Sequence, residues 1–317
     1  MTVIVPAHQA ETEIGHCLDG LAAAGFARDE IIVVDDGSRD ATGALAAERG
    51  VRVIRNETPM RPARARNRGA EAADGEILFF VDADVVAHPG ARAKLEAHFA
   101  DPRLDAVFGS YDDRPPAPAL VSRYRNLLHH FVHQRSATTA KTFWTGFGAV
   151  RRERFLTLGG LDRDWENIED VEFGMRLARD GGAIRLDKTL LATHLKGWTL
   201  RSMFLTDLHG RAKPWTRLLM RGDAEIGDLN TAPEHRASAA AVALGAASIV
   251  ALPVVDAAAW GAVVAVALFL GANAAFIRFL ADKRGVGFAV AAMPYHVTHY
   301  AAALLGYASV RLERWRR

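Results

Sequence analysis

Five consecutive apolar residues, Ile77 to Val81, run directly into Asp82-Ala83-Asp84. Five residues are too few for a globular helix, and an uninterrupted apolar run of that length fits a strand covered on both faces, as strands inside parallel sheets are. The two carboxylates then stand at the C-terminal edge of an open α/β sheet, where ligands bind. One is expected to face a sugar or ribose and the other to hold a divalent cation. Such hard oxygen ligands suit Mg²⁺ or Mn²⁺, which in turn neutralises a diphosphate. An Asp-x-Asp can equally end a strand in a polar loop, so the rest of the chain has to decide between the two.

The N-terminal part repeats one alternation. Val3 to Pro6, Ile31 to Val34 and Val51 to Ile54 read as short buried strands, and Ile14, Leu18 and Leu21 give Glu11 to Leu21 the spacing of a helix. Ser38 or Asp40 is a candidate cap for a second helix through Leu45, and an arginine-rich helix is expected from Arg61 to Ala73. Strands and helices alternating with short connections predict an α/β fold with a doubly wound, mostly parallel sheet. The turn after the first strand, Pro6-Ala7-His8-Gln9, contains no glycine, which excludes the Gly-x-Gly-x-x-Gly fingerprint of nicotinamide and flavin cofactors. No Walker loop is present either. A net charge of +2 over 317 residues gives no reason to expect nucleic acid, and the single cysteine, Cys17, excludes an internal disulfide.

Five motifs now stand in order: Val3-Ile4-Val5-Pro6-Ala7-His8, Val34-Asp35-Asp36-Gly37-Ser38, Ala65-Arg66-Asn67-Arg68-Gly69-Ala70, Val81-Asp82-Ala83-Asp84 and Glu169-Asp170. By their order and spacing the chain resembles the family 2 glycosyltransferases of the GT-A fold over roughly residues 1–200. The resemblance implies a nucleoside-diphosphate sugar donor and a divalent cation, Mg²⁺ or Mn²⁺. It places Pro6, Ala7 and His8 along the nucleotide base, although the family more often has a tyrosine-asparagine pair where His8-Gln9 stands. It makes Asp36 the acceptor of a hydrogen bond from the base, and sets Arg66 and Asn67 near the donor, with Arg61 a further candidate. Arg61, Arg64 and Arg68 share one helical face at i, i+3 and i+7. Asp82 belongs to the donor site, and Asp84, with Asp82 and His194, to the cation. Phe143 to Arg152 resembles the segment beneath the sugar, with glycines where backbone comes close. Glu169 and Asp170 are the catalytic carboxylates, with Asp170 the base that deprotonates an acceptor hydroxyl. Asn167 is expected to cap their helix, and Glu172 and Arg176 to form a surface pair at i, i+4.

The last third changes character. Ala237 to Val255 and Ala257 to Ile277 carry no charge, and each is long enough to cross ~30 Å of hydrocarbon. They predict a membrane hairpin with Asp256 at its far end, because Arg236, Arg278, Lys283 and Arg284 flank the other ends. Val286 to Val310 contains Pro294, Tyr295, His296, His299 and Tyr300, and is expected to be interfacial or re-entrant rather than a third span. Between Thr199 and Arg221, five basic residues interleave with large apolar ones around a single acid, Asp207, the make-up of a helix lying on an anionic bilayer. No leader precedes Val3, so the catalytic part is expected on the cytosolic side of the cell membrane.

The sequence thus predicts a catalytic domain over 1–200, interfacial helices over 201–235 and a helical membrane region over 236–317. The expected activity is an inverting, membrane-anchored transfer of a sugar to a lipid-linked hydroxyl acceptor, with membrane lipids as further partners. Two alternatives stay open. One is a polyprenyl-phosphate acceptor, and the other is a non-catalytic adaptor that binds a nucleotide sugar. Carboxylates in three separate motifs argue against the adaptor, which has no chemical need of them.

Overall fold

The computed structural model describes residues 1–165, 167–222 and 233–315. The chain divides into two compact units, one made of residues 1–117 and 133–196, the other of residues 118–132 and 197–317.

In the first unit the apolar runs are strands: β1 (Thr2–Ala7), β2 (Ile31–Asp35), β3 (Arg52–Arg55) and β4 (Ile77–Val81). They lie in the order β3-β2-β1-β4, all parallel, and every residue of β2 and β4 is buried. Helices α1 (Ile14–Ala23), α2 (Thr42–Glu48) and α3 (Pro62–Glu71) make the crossovers that parallel neighbours require. The chain adds β2 and β3 on one side of β1, then returns to place β4 on the other. That reversal is a topological switch point, and it brings Pro6-Ala7-His8 and Asp82-Ala83-Asp84 to neighbouring strand ends.

The rest of this unit consists of β5 (Val85–Ala87), α4 (Ala91–Phe99), β6 (Leu104–Tyr111), the end of α5 (Leu120–Arg135), β7 (Thr139–Ala140), β8 (Phe147–Arg151), α6 (Arg152–Thr157), α7 (Glu169–Arg179) and β9 (Ala183–His194). Here the expectation of a mostly parallel sheet fails. β8 lies antiparallel between β4 and β6, β5 and β7 lie antiparallel to β9, and only β6 and β9 are parallel. The reason is where β8 begins: Phe147 pairs with Val81, so β8 starts at the ligand edge and runs back. That direction leaves Phe143 to Gly146 at that edge, with Asp82 N donating to Gly146 O at 3.1 Å. Gly148 is required there, since a Cβ would come within 2.3 Å of Trp144 O.

The second unit is helical: part of α5, then α8 (Leu200–Leu205), a π-helix over Thr206–Ala212, α9 (Lys213–Met220), α10 (Pro233–Ala251), α11 (Ala258–Ala272), α12 (Ala274–Arg284) and α13 (Val286–Trp315). The expected second span, 257–277, is not one helix. The chain bends by 63° between α11 and α12. Asn273 stands at the break with its carboxamide turned inward: Nδ2 donates to Phe269 O at 2.8 Å and to Ser238 Oγ at 2.9 Å, while Oδ1 lies 2.7 Å from His296 Nε2. The expected first span ends early, at Ala251. Among the described residues no single helix is long and apolar enough to cross a membrane, and only α11 and α12 taken together pass that test. α13 runs as one helix through Pro294. Asp207, expected on a surface helix, is buried against Arg125, with His299 Nδ1 2.8 Å from its carboxylate. Residues 223–232 of the expected interfacial stretch, and Arg316 and Arg317, lie outside the described residues.

Candidate functional site

Beyond Val81 the chain leaves the strand in a turn closed by Val85 N donating to Asp82 O at 3.0 Å, and the two aspartates take different partners. Asp82 Oδ1 accepts from Arg66 Nη2 at 2.6 Å. Asp84 Oδ2 lies 3.4 Å from His194 Nε2. Strand register makes that second pair: Val85 sits opposite His194, and Leu195 N donates to Asp84 O at 2.8 Å. Burial pushes the Asp84 carboxyl upward, but His194 and then Lys196 outweigh it and hold the group below its usual range.

A carboxylate and an imidazole make a suitable donor set for Mg²⁺ or Mn²⁺. Their separation is one that two ligands ~2.1 Å from a common cation also have. Asp82, Asp84 and His194 do not form the expected three-ligand set. Among the described residues no group of three or more His, Cys, Asp or Glu is arranged to hold a metal ion. Asp84 and His194 are the pair that fits, and Asp82 is turned to Arg66.

α7 carries the other carboxylates. Asp170 Oδ2 accepts from Thr145 N at 3.0 Å and Thr145 Oγ at 3.2 Å, and its Oδ1 from Val171 N at 2.8 Å. Burial raises its carboxyl above the ordinary 3.8, against the pull of Arg66 and these donors. Glu169 is also raised by burial, opposed by Arg66. Its Oε1 accepts from Arg66 Nη1 at 2.8 Å, and its buried Oε2 has no hydrogen-bond partner among the described residues. Asn167 is not the helix cap: Ile168 holds that position, while Asn167 adopts a left-handed φ of 65°.

Several residues expected on the donor have internal partners. Arg66 is buried and pairs with both Asp82 and Glu169, so it braces two carboxylates. Asn67 clasps Leu161, donating to its O at 2.8 Å and accepting from its N at 2.9 Å. Asp36 accepts from Asn56 Nδ2 at 2.6 Å, Met60 N at 2.8 Å and Arg61 N at 2.9 Å, which fixes the loop before α3. Pro6 and His8 reach the surface while Ala7 is buried, and His8 Nδ1 lies 2.8 Å from Asp36 O. Arg61, Arg64 and Arg68 are exposed together. The non-glycine residues with left-handed φ among those described are Gln9, Arg61 and Asn167, each within or beside one of the motifs, where backbone strain tends to collect.

Two positions escaped sequence reasoning. Arg176 pairs with Glu172 at 2.6 Å as its spacing predicts, but it also donates to Leu158 O at 2.6 Å and Gly160 O at 2.8 Å, pinning the loop that Asn67 clasps. The Gly159-Gly160 pair was the available signal. Tyr111, at the end of β6, stacks on His194 with ring centroids 4.2 Å apart, and nothing local in the sequence marks it.

Residues 2–159 match the family model described as Glycosyl transferase family 2. The chain is 26% identical over 196 residues to an uncharacterized glycosyltransferase of Haemophilus influenzae, covering 57% of this chain and 62% of that one. It is 26% identical over 218 residues to the pre-mycofactocin glycosyltransferase of Mycobacterium tuberculosis, covering 64% of this chain and 45% of the relative. The chain therefore spans less than two thirds of the length of either relative. Its fold is similar to that of the mannosyltransferase PcManGT from Pyrobaculum calidifontis, solved with GDP-Man and Mn²⁺, with a TM-score of 0.61 at 21% identity over 98% of this chain and 87% of that one. A GT-A-like sheet, carboxylates gathered at its switch point and the family match agree: residues 2–159 are a family 2 glycosyltransferase domain.

Proposed function

We propose that the chain transfers a sugar from a nucleoside-diphosphate donor, held with a divalent cation, to a hydroxyl of a lipid-borne acceptor, with inversion at the anomeric carbon. The observation that carries this reading is the state of Asp170. Its carboxylate is fixed by three donors and kept more basic than usual, and two oxygens with ~four lone-pair sites leave room for a further proton. Asp84 and His194 would hold the cation, which when bound neutralises charge developing on the leaving diphosphate. As the acceptor oxygen bonds to the anomeric carbon, the bond to the diphosphate breaks and the hydroxyl proton passes to Asp170. A single displacement of this kind inverts configuration. Glu169, neutralised by Arg66 and enclosed, positions Asp170 instead of taking the proton itself.

The lipid-borne acceptor is inferred from the second unit. Around the α10–α11 hairpin Ile249, Val250, Val254, Trp260 and Val263 are 65%, 79%, 83%, 73% and 58% exposed, and exposed Arg236, Arg278, Lys283 and Arg284 stand near the other helix ends. Apolar surface on this scale, with basic residues beside it, suits insertion into the face of an anionic bilayer.

The test is Asp170→Asn at saturating donor and acceptor. Donor affinity should hold while kcat falls ~10²- to 10⁴-fold. A rate within a few-fold of the parent would refute the base and favour a phosphate acceptor, whose oxygen is already an anion.

A further inference from the structure

His194 is placed by its backbone, but its backbone does not orient its ring. The pairing of Val85 with His194 sets where the side chain begins, whereas the second torsion of histidine is broad and leaves the direction of Nε2 open. Two contacts close that freedom. One is Asp84, 3.4 Å from Nε2. The other is Tyr111, whose ring lies at 4.2 Å and only 7° from parallel to the imidazole.

Tyr111 is itself held on two sides. It ends β6 opposite Ala192 of β9, two residues before His194, so the two side chains share one face of the sheet. Trp144 meets it edge-on at 4.8 Å and 89°, and Trp144 is in turn met edge-on by His133 at 5.4 Å. The tyrosine is buried, so its ring is a fixed plane rather than a mobile cover.

We propose that Tyr111 is a positioning residue for the cation site: its ring holds the His194 imidazole in the plane that directs Nε2 at the space beside Asp84. The inference rests on the reading of Asp84 and His194 as the cation's ligands. The reason the stack matters follows from what binding does to the other contact. A cation held by both Asp84 and His194 would replace their direct contact, and the Tyr111 stack would then be the contact left to orient the ring. Without it the ring must be ordered at the moment of binding. Outer contacts to ligating histidines typically matter at ~10- to 100-fold in metal affinity.

The experiment measures Mn²⁺ affinity of the donor-free full chain by electron paramagnetic resonance of free Mn²⁺, in the parent, Asp84→Ala, Tyr111→Phe and Tyr111→Met. Methionine keeps apolar volume without a ring plane. Tyr111→Phe should bind as the parent does, and Tyr111→Met ~10- to 100-fold more weakly. Tyr111→Met binding like the parent while Asp84→Ala loses the ion would overturn the role of Tyr111 alone. Asp84→Ala binding like the parent would overturn the ligand assignment beneath it. If Tyr111→Met does not fold, the parent still decides the matter: a stacked imidazole has ring protons shifted upfield in the proton spectrum, assigned by their loss in His194→Gln. Unshifted resonances would contradict the stack.

Discussion

Arg66 donates from Nη1 to Oε1 of Glu169, 103 residues further along the chain, at 2.8 Å with both side chains buried, and its Nη2 reaches Asp82. One guanidinium thereby ties α3 to the end of β4 and the head of α7. Removing Arg66 leaves Glu169 as an uncompensated buried charge, which costs about 3–5 kcal/mol, whereas Asp82 is partly open to solvent. Arg66→Met should lower the thermal unfolding midpoint accordingly, and Arg66→Lys should recover only part of it because an ammonium lacks the planar fork. A parent-like midpoint for Arg66→Met would show that the bracing is not needed.

The pH dependence of turnover follows from the state of Asp170. A base held above 3.8 must lose its proton to act, so the acid limb of kcat should lie above that value in the parent and vanish from the residual activity of Asp170→Asn. The signs for stability differ between carboxylates. Glu169 and Asp170, both raised, favour the folded state most at pH below the ordinary carboxylate range, and that contribution is lost as pH climbs through their raised values. Asp84, which is lowered, adds stability above 3.8 that disappears on acidification. An identical acid limb in the parent and in Asp170→Asn would rule Asp170 out as its source.

Gly160 is a sensitive position in the loop before α7. It adopts φ +69°, and a Cβ there would come within 2.7 Å of Asn67 Oδ1, the atom that accepts from Leu161 N. Gly160→Ala should therefore destabilise more than Gly181→Ala, where φ is +77° but nothing lies within 4 Å of the added carbon. Backbone strain alone accounts for ~1–3 kcal/mol at either site. Equal losses in chemical denaturation of the two variants would mean that the Asn67 clasp adds nothing.

Lipid binding should depend on the hairpin. Charging two of its most exposed apolar positions, Val250→Glu with Val254→Glu, removes ~1.5–3 kcal/mol of apolar burial per site, enough for a tenfold or greater loss of affinity. Co-sedimentation with anionic vesicles measures it. Unchanged sedimentation would place the lipid contact elsewhere.

Much of the first unit was legible because its signals are local. The run Ile77 to Val81 can be little but a buried strand, and the alternation before it fixes the parallel half of the sheet. The direction of β8 was not legible, since a five-residue strand reads the same whichever end it enters from. Motif positions marked Asp36, Arg66 and Asn67 as site candidates, yet not what they would touch. A buried polar side chain takes whichever partner the fold delivers, and here the partners are Met60, Glu169 and Leu161. Composition alone overestimated the membrane spans. Asn273 is one polar residue in an apolar stretch, and its consequence depends on Ser238 and His296, which reach it only through tertiary packing.

The central claim is transfer from a nucleotide sugar with a cation held at Asp84 and His194. Its most direct test is release of nucleoside diphosphate from a panel of GDP- and UDP-sugars, measured with Mn²⁺ and again after chelation. The account predicts release from at least one donor, lost on chelation and in Asp84→Ala while that variant still unfolds cooperatively as a folded protein. Undiminished release in excess chelator, or none from any donor, would contradict it.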